Sequence, residues 1–281
     1  MPNVTSTTAA NLLVSRWKAE IQLDATEELV VAKDYWDADG EKIGDNLYIR
    51  KVAPIAATAP TLGSFHASSL TYTNNTEART TVTASPAYGA VRLERDVMNQ
   101  MLNDVELATA YRKQIANGLA TYIDVNAADD VANISGQVGG AGPITRPMLA
   151  QANMTLSLSA KNAVKPGDTM YFIYHTSEKA NVLAIPEITA ADIRGDGVGA
   201  NVTGYVWKAL GMTLSDSSNV YQSGGITYNF LHIPRCMVLA YNERPNILPP
   251  EPDGLTTIII GYAEFGVAEN YDAYGCGVLS S

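Results

Sequence analysis

Three histidines and two cysteines are the whole supply of soft ligands and pH-tunable nucleophiles in 281 residues. His66, His175 and His232 stand far apart and make no HxxxH, HExxH or mixed Cys/His spacing, so zinc finds no ligand set. Each imidazole reads as a packed or hydrogen-bonded ring. Cys236 and Cys276 lack CxxC spacing and read as reduced, packed thiols. No GxSxG elbow presents a serine nucleophile, and no GxxxxGK[ST] loop cradles a phosphate. The stretch GDGVGANVTG, 195–204, carries Val202 where the third glycine of GxGxxG belongs. DADGE, 37–41, opens like a calcium loop, but Lys42 replaces its glycine and Tyr48 its closing glutamate, which leaves a tight turn. The RGD at 194–196 reads as a glycine turn, and the Asn-x-Ser/Thr triplets at Asn3, Asn74, Asn133, Asn153 and Asn201 matter only on a secretory route. An α/β enzyme would have to use an atypical site around His175 and Glu178. No cofactor or metal is expected.

Composition narrows the classes further. Hydrophobic residues make up 46% and charged residues 17%, below the roughly 25% of an average soluble domain, so much of the surface must be neutral. Fifteen tyrosines suit interfaces that are part apolar and part wet. A net charge of -10 has the wrong sign for gripping duplex nucleic acid through its phosphates. No apolar run is long enough to span a membrane, and MPNVTSTTAANLL has no basic stretch before its apolar residues, so a cytosolic chain is expected.

The elements that would position any site follow from periodicity. Leu12, Leu13, Trp17, Ile21 and Leu23 predict short helices with little core of their own, an arm that packs on something else. Alternation in Asn46 to Val52 and in Arg79 to Thr83 predicts two strands flanking a Thr/Ala/Ser-rich middle with Pro60, Gly63 and Asn74. A lone ribbon of that length is marginal in water and needs a neighbour to lie on. Val97, Met101, Val105, Ala108, Ile115, Leu119 and Tyr122 then recur at helical spacing. A single helix of about 30 residues would be a rod of roughly 45 Å, and Gly118 inside it weakens the rod by about 1 kcal/mol. A second amphipathic helix is predicted from Ile144 to about Leu158, and an apolar strand over Met170 to Tyr174. Ser177 is the expected N-cap of the helix after it. Three further strands follow, with Pro234 at a bend. RPNILPPEPDG, 244–254, reads as a linker, and closing strands run over Thr256 to Phe265 and Gly275 to Leu279.

This order of segments resembles the major capsid (coat) proteins of tailed bacteriophages, the HK-ninety-seven-like fold. The local matches are VRLERDVMNQMLNDVE and TTIIIGYAEFGVAENYDAYGCGVL, with HTSEKANVLAIPEITAADIRGDG and GYVWKALGMTLSD beside them. The resemblance implies an α+β phage capsid fold: N-terminal arm 1–43, extended β E-loop 44–92, long spine helix and P-domain 93–159, A-domain 160–247, and P-domain closing strands 248–281. It implies Leu62, Phe65, His66 and Tyr72 as inter-subunit contacts in the E-loop. Val97, Met101, Val105, Ile115 and Leu119 would form the core face of the spine helix.

The implied function is structural: self-assembly as hexamers and pentamers into an icosahedral virion head around double-stranded DNA, without sequence-specific binding, in the host bacterial cytoplasm. A separate scaffolding protein, a portal and a decoration protein are the implied partners, and no membrane. Some members of this family join subunits by an isopeptide bond from an E-loop lysine. No lysine occurs here between Lys51 and Lys113, which predicts a non-covalent shell. An encapsulin-type nanocompartment shell is the alternative nearest in fold, and the atypical α/β enzyme the alternative of another class. A secreted adhesin, suggested by RGD and the triplets, lacks an export signal.

Overall fold

The computed structural model describes residues 6–18, 20–39, 41–43, 46–51, 78–160, 169–189, 208–209, 211–253 and 256–281. Two N-terminal helices, α1 (Ser6–Trp17) and α2 (Ile21–Glu28), lead into strands β1 (Trp36–Asp39), β2 (Glu41–Ile43) and β3 (Asn46–Lys51). After β4 (Ala78–Thr83) and β5 (Ser85–Glu94) come helices α3 (Arg95–Asn103) and α4 (Val105–Asp129). β6 (Gln137–Gly139), α5 (Arg146–Ala160), β7 (Met170–His175), α6 (Lys179–Leu183) and α7 (Pro186–Thr189) follow. The last part is all strand: β8 (Lys208–Ala209), β9 (Met212–Ser217), β10 (Gln222–Ser223), β11 (Ile226–His232), β12 (Met237–Ile247), β13 (Glu251–Asp253), β14 (Thr256–Glu269) and β15 (Gly275–Ser280).

These strands make three sheets among the described residues. The first runs β1-β12-β14-β13 with β5 on the far side of β14, the second β6-β15-β11-β7-β9-β8 with β10 on β11, and the third is β2-β3-β4. In the first, β5 matches β14 residue for residue from Glu94 opposite Thr256 to Ser85 opposite Phe265. Alternation along β14 sends Thr257, Ile259, Gly261, Ala263 and Phe265 inward, and α4 lies across that face. The fit is close because Gly261 has no side chain: a Cβ there would stand 2.4 Å from Ile115 Cγ2.

The predicted single rod is two helices. Asp104 adopts an extended backbone and its carboxylate accepts from the N–H groups of Glu106 and Leu107 at 3.0 and 3.1 Å, an N-cap that starts α4 afresh. Gly118 is exposed and α4 runs through it unbroken for 25 residues, roughly 37 Å.

The arm also differs from expectation. Leu13, Trp17, Ile21 and Ala25 are buried in the main core of this same chain, with α1 on α3 and α2 on α4. Their stripe finds its partner within the chain, against the spine helices and against β12 and β14 of the first sheet. The hairpin is shorter at its base than 44–92: β5 belongs to the first sheet, and β3 and β4 close a small core of Leu47, Ile49 and Val82 against Val238, Ala240 and Trp36. The proline-rich stretch 244–254 is no linker. It finishes β12, turns at Pro249 and Pro250, and supplies β13 to β14, since Pro245 falls at a register shift of β12 and Pro252 on the edge strand β13. The boundary at 247/248 therefore falls inside one antiparallel hairpin, while β15 joins β11 in the second sheet.

Candidate functional site

The spine is held by buried charge, which apolar periodicity did not reveal. Arg112 sits in the middle of the α4 core stripe and pairs with Asp24 of α2 through Nε at 2.5 Å, and with Glu20. Burial holds the Asp24 carboxyl above the usual carboxylate range and pulls the Arg112 guanidinium below its own. One turn past Ala120, Asp124 is 1% exposed and accepts from three successive backbone N–H groups, Val30, Val31 and Ala32, at 2.9, 3.1 and 2.9 Å. Burial pushes the Asp124 pKa up and those N–H bonds pull it back. The sequence signal was a charged residue standing where the apolar stripe requires a small or aliphatic one.

Of the residues expected on the spine's core face, Met101, Ile115 and Leu119 are buried, and Val97 is half-buried against the core. Val105 is a correction: at 54% exposure it points to solvent, because the Asp104 cap makes it the first residue of a new helix with a new phase. Leu62, Phe65, His66 and Tyr72 lie outside the described residues, as do the RGD, the 195–204 glycine stretch and the triplets at Asn3, Asn74 and Asn201.

Glu178 and His175, the residues an atypical site would use, make local structural contacts. Glu178 is buried, but its carboxylate accepts from the N–H of Ile144 at 3.2 Å and from the Asn181 amide at 2.9 Å, so it ties the α5 approach to α6. His175 Nδ1 lies 2.7 Å from the Ser177 hydroxyl and accepts from the Ser177 N–H at 3.2 Å. His175, not Ser177, is thus the capping side chain, because the turn starts one residue pair earlier than the Ser177 pattern implied. No group of three or more His, Cys, Asp or Glu side chains among the described residues could hold a metal ion.

The remaining histidine and both cysteines are interior. His232 is 1% exposed, stacked on Phe230 at 4.5 Å and Tyr171 at 5.6 Å with the Tyr35 edge 5.6 Å away. Nδ1 faces the Ile233 carbonyl oxygen at 3.3 Å, and Nε2 has no hydrogen-bond partner. Burial lowers its pKa to about 4. Burial likewise pushes the Cys276 thiol up to about 11 and the Cys236 thiol higher still, which removes thiolate chemistry at neutral pH.

What the molecule does offer is neutral surface. Met154 and Leu158 of α5 are 57% and 69% exposed one turn apart, and Arg146 is the sole charged residue of that helix. Tyr88 projects from the outer face of edge strand β5 at 78% exposure, Val125 of α4 is exposed, and Tyr122 is partly exposed with its ring edge-on to Phe265. Opposite Arg50 in the β3–β4 ladder stands Arg79, a like-charge pair on exposed strands.

No protein-family model matches the chain, and no curated protein matches it in sequence. Solved structures do match. The capsid of the cyanophage P-SCSP1u superposes with a TM-score of 0.62 at 13% identity over 90% of this chain and 88% of its own. The mature capsid of bacteriophage PhiM1 gives 0.61 at 8% identity over 90% and 87%. A virus-like particle from Pyrococcus furiosus gives 0.59 at 10% identity over 95% and 99%. Identities this low carry fold and not function. Matched over about nine-tenths of its length, this chain has the HK-ninety-seven-like fold of the tailed-phage capsid structures.

Proposed function

We propose that this protein is a shell subunit: the major capsid protein of a tailed phage, assembling as hexamers and pentamers into an icosahedral head that encloses double-stranded DNA. The observation that carries the reading is the match of about nine-tenths of the chain, in both directions, to capsid structures. Exposed tyrosines and aliphatics on α4, α5 and β5 support it, since such neutral surface gains stability when a neighbour covers it. Head-to-tail contacts that close into rings would then tile the shell.

On this reading the N-arm is residues 1–43, the E-loop centres on the segment between β3 and β4, and α3 with α4 forms the spine. The first sheet is the P-domain and the second sheet, β15 included, the A-domain. Leu62, Phe65, His66 and Tyr72 are proposed as E-loop contacts to the adjacent subunit. A net charge of -10 is consistent with a shell that does not adhere to packaged DNA. A scaffolding protein, a portal and a decoration protein are the proposed partners, the host cytoplasm the place of assembly, and no catalytic role is assigned.

Negative-stain microscopy of the purified assembly tests the proposal. Uniform hollow icosahedra are expected, and small monodisperse oligomers under all conditions would overturn it. The virus-like particle match, which covers 99% of that chain, favours a second reading, an encapsulin-type compartment around protein cargo. The ratio of absorbance at 260 and 280 nm of nuclease-treated particles separates nucleic acid contents from protein contents.

A further inference from the structure

We propose that the C-terminal end of α4 and the β4–β5 connection form a proton-sensitive hinge that sets how firmly the hairpin base is held to the body. A cavity of about 300 Å³ separates them, lined by Asn126, Asp129 and Asp130 on one side and by Thr83, Ser85 and Phe265 on the other. Thr83 ends β4 and Ser85 begins β5, so this is where the hairpin leaves the first sheet. The contact is tight: a Cβ on Gly266 of β14 would lie 2.4 Å from the Thr83 carbonyl oxygen.

Negative charge gathers at this seam. Asp129 and Asp130 sit at the negative end of the α4 dipole, and the Glu269 carboxylate of β14 adds a weaker repulsion on Asp130. Asn133 donates to Asp130 at 3.4 Å, the Tyr35 hydroxyl feels the same carboxylate, and no cation of the described residues is among the groups acting on Asp130. Burial first, then Asp129, raise the Asp130 pKa to about 6. Ionisation therefore places an uncompensated charge against the seam, and protonation removes it. The sign follows from linkage: a carboxyl raised in the closed seam stabilises closure below its ordinary pKa, and that contribution is lost as pH rises through about 6. If opening returns Asp130 to water, the closed-to-open ratio falls about tenfold between pH 5 and pH 7.5.

The hinge matters to assembly only through the shell reading, on which the hairpin joins neighbouring subunits, but its test does not depend on assembly. Hydrogen exchange on the full chain, corrected for intrinsic rates, is followed in peptides spanning 78–88 and, as control, 226–232. Protection of 78–88 relative to the control should rise about tenfold from pH 7.5 to pH 5, and Asp130→Asn should hold the high value at both. Asp129→Asn, which removes one repelling charge and leaves Asp130 in place, should move the midpoint to lower pH. A flat profile in the wild type, or an Asp130→Asn profile that still follows pH, overturns the hinge while leaving the shell reading intact. Failure to form particles alongside the expected exchange pattern overturns the shell reading alone.

Discussion

His232→Phe tests whether the interior between the two large sheets is as dry as its packing indicates. The ring lies between Phe230 and Tyr171 with Nε2 unpartnered, and burial lowers its pKa from 6.5 to about 4. A histidine lowered in the folded state contributes fully above pH 6.5, and the contribution is lost as pH falls toward 4, because the unfolded chain takes the proton first. At about 1.4 kcal/mol per pH unit, some 2 kcal/mol disappears between pH 7.5 and pH 5. Phenylalanine keeps the stack and removes both the orphaned nitrogen and the titration. Other titrating groups are common to both proteins and cancel in the difference. Against an unfolding entropy of roughly 0.6 kcal/mol per degree for a chain of this size, the Tm advantage of the variant should widen by about 3–4 °C over that range. Differential scanning fluorimetry at half-unit pH steps reads it. A Tm difference that stays constant with pH would refute the reasoning, because Nε2 would then have a partner that compensates its proton.

Three further outcomes follow from the packing. Arg112→Leu strands the Asp24 carboxylate in a buried site and should cost about 3–5 kcal/mol in urea unfolding, whereas Arg112→Leu with Asp24→Leu should recover most of that loss. Gly261→Ala drives a methyl into Ile115 and should cost about 1–3 kcal/mol, and Ile115→Ala in the same chain should be less than additive with it by urea midpoint. Particles boiled in detergent should run as the single 30.0 kDa chain, since the segment between Lys51 and Lys113 has no lysine; a ladder of resistant multimers contradicts this.

Legibility in the sequence stopped where a residue's partner lay far along the chain. The apolar period of α5, the alternation of β3, β4 and β14, and the turn at Pro234 are local, and each element formed where its period placed it to within a few residues. The absence of nucleophile, ligand and phosphate motifs was equally local. The break at Asp104 was legible in principle, as an N-cap residue inside a helical run, but the unbroken apolar spacing masked it. Arg112 and Asp124 carried a signal without an address: their charge on an apolar stripe announced partners, but Asp24 lies 88 residues away and the Val30–Ala32 amides over 90.

Composition, element types, the absence of the motifs searched for and the segment order that resembles the capsid fold were set by sequence alone. Tertiary structure decided which strand joins which sheet, that the N-terminal helices complete this chain's own core, and that His232 and Asp130 leave their ordinary pKa values. The reason is physical: period and propensity act over a few neighbouring residues, whereas sheet register, desolvation and charge pairing are fixed by what the folded chain brings alongside.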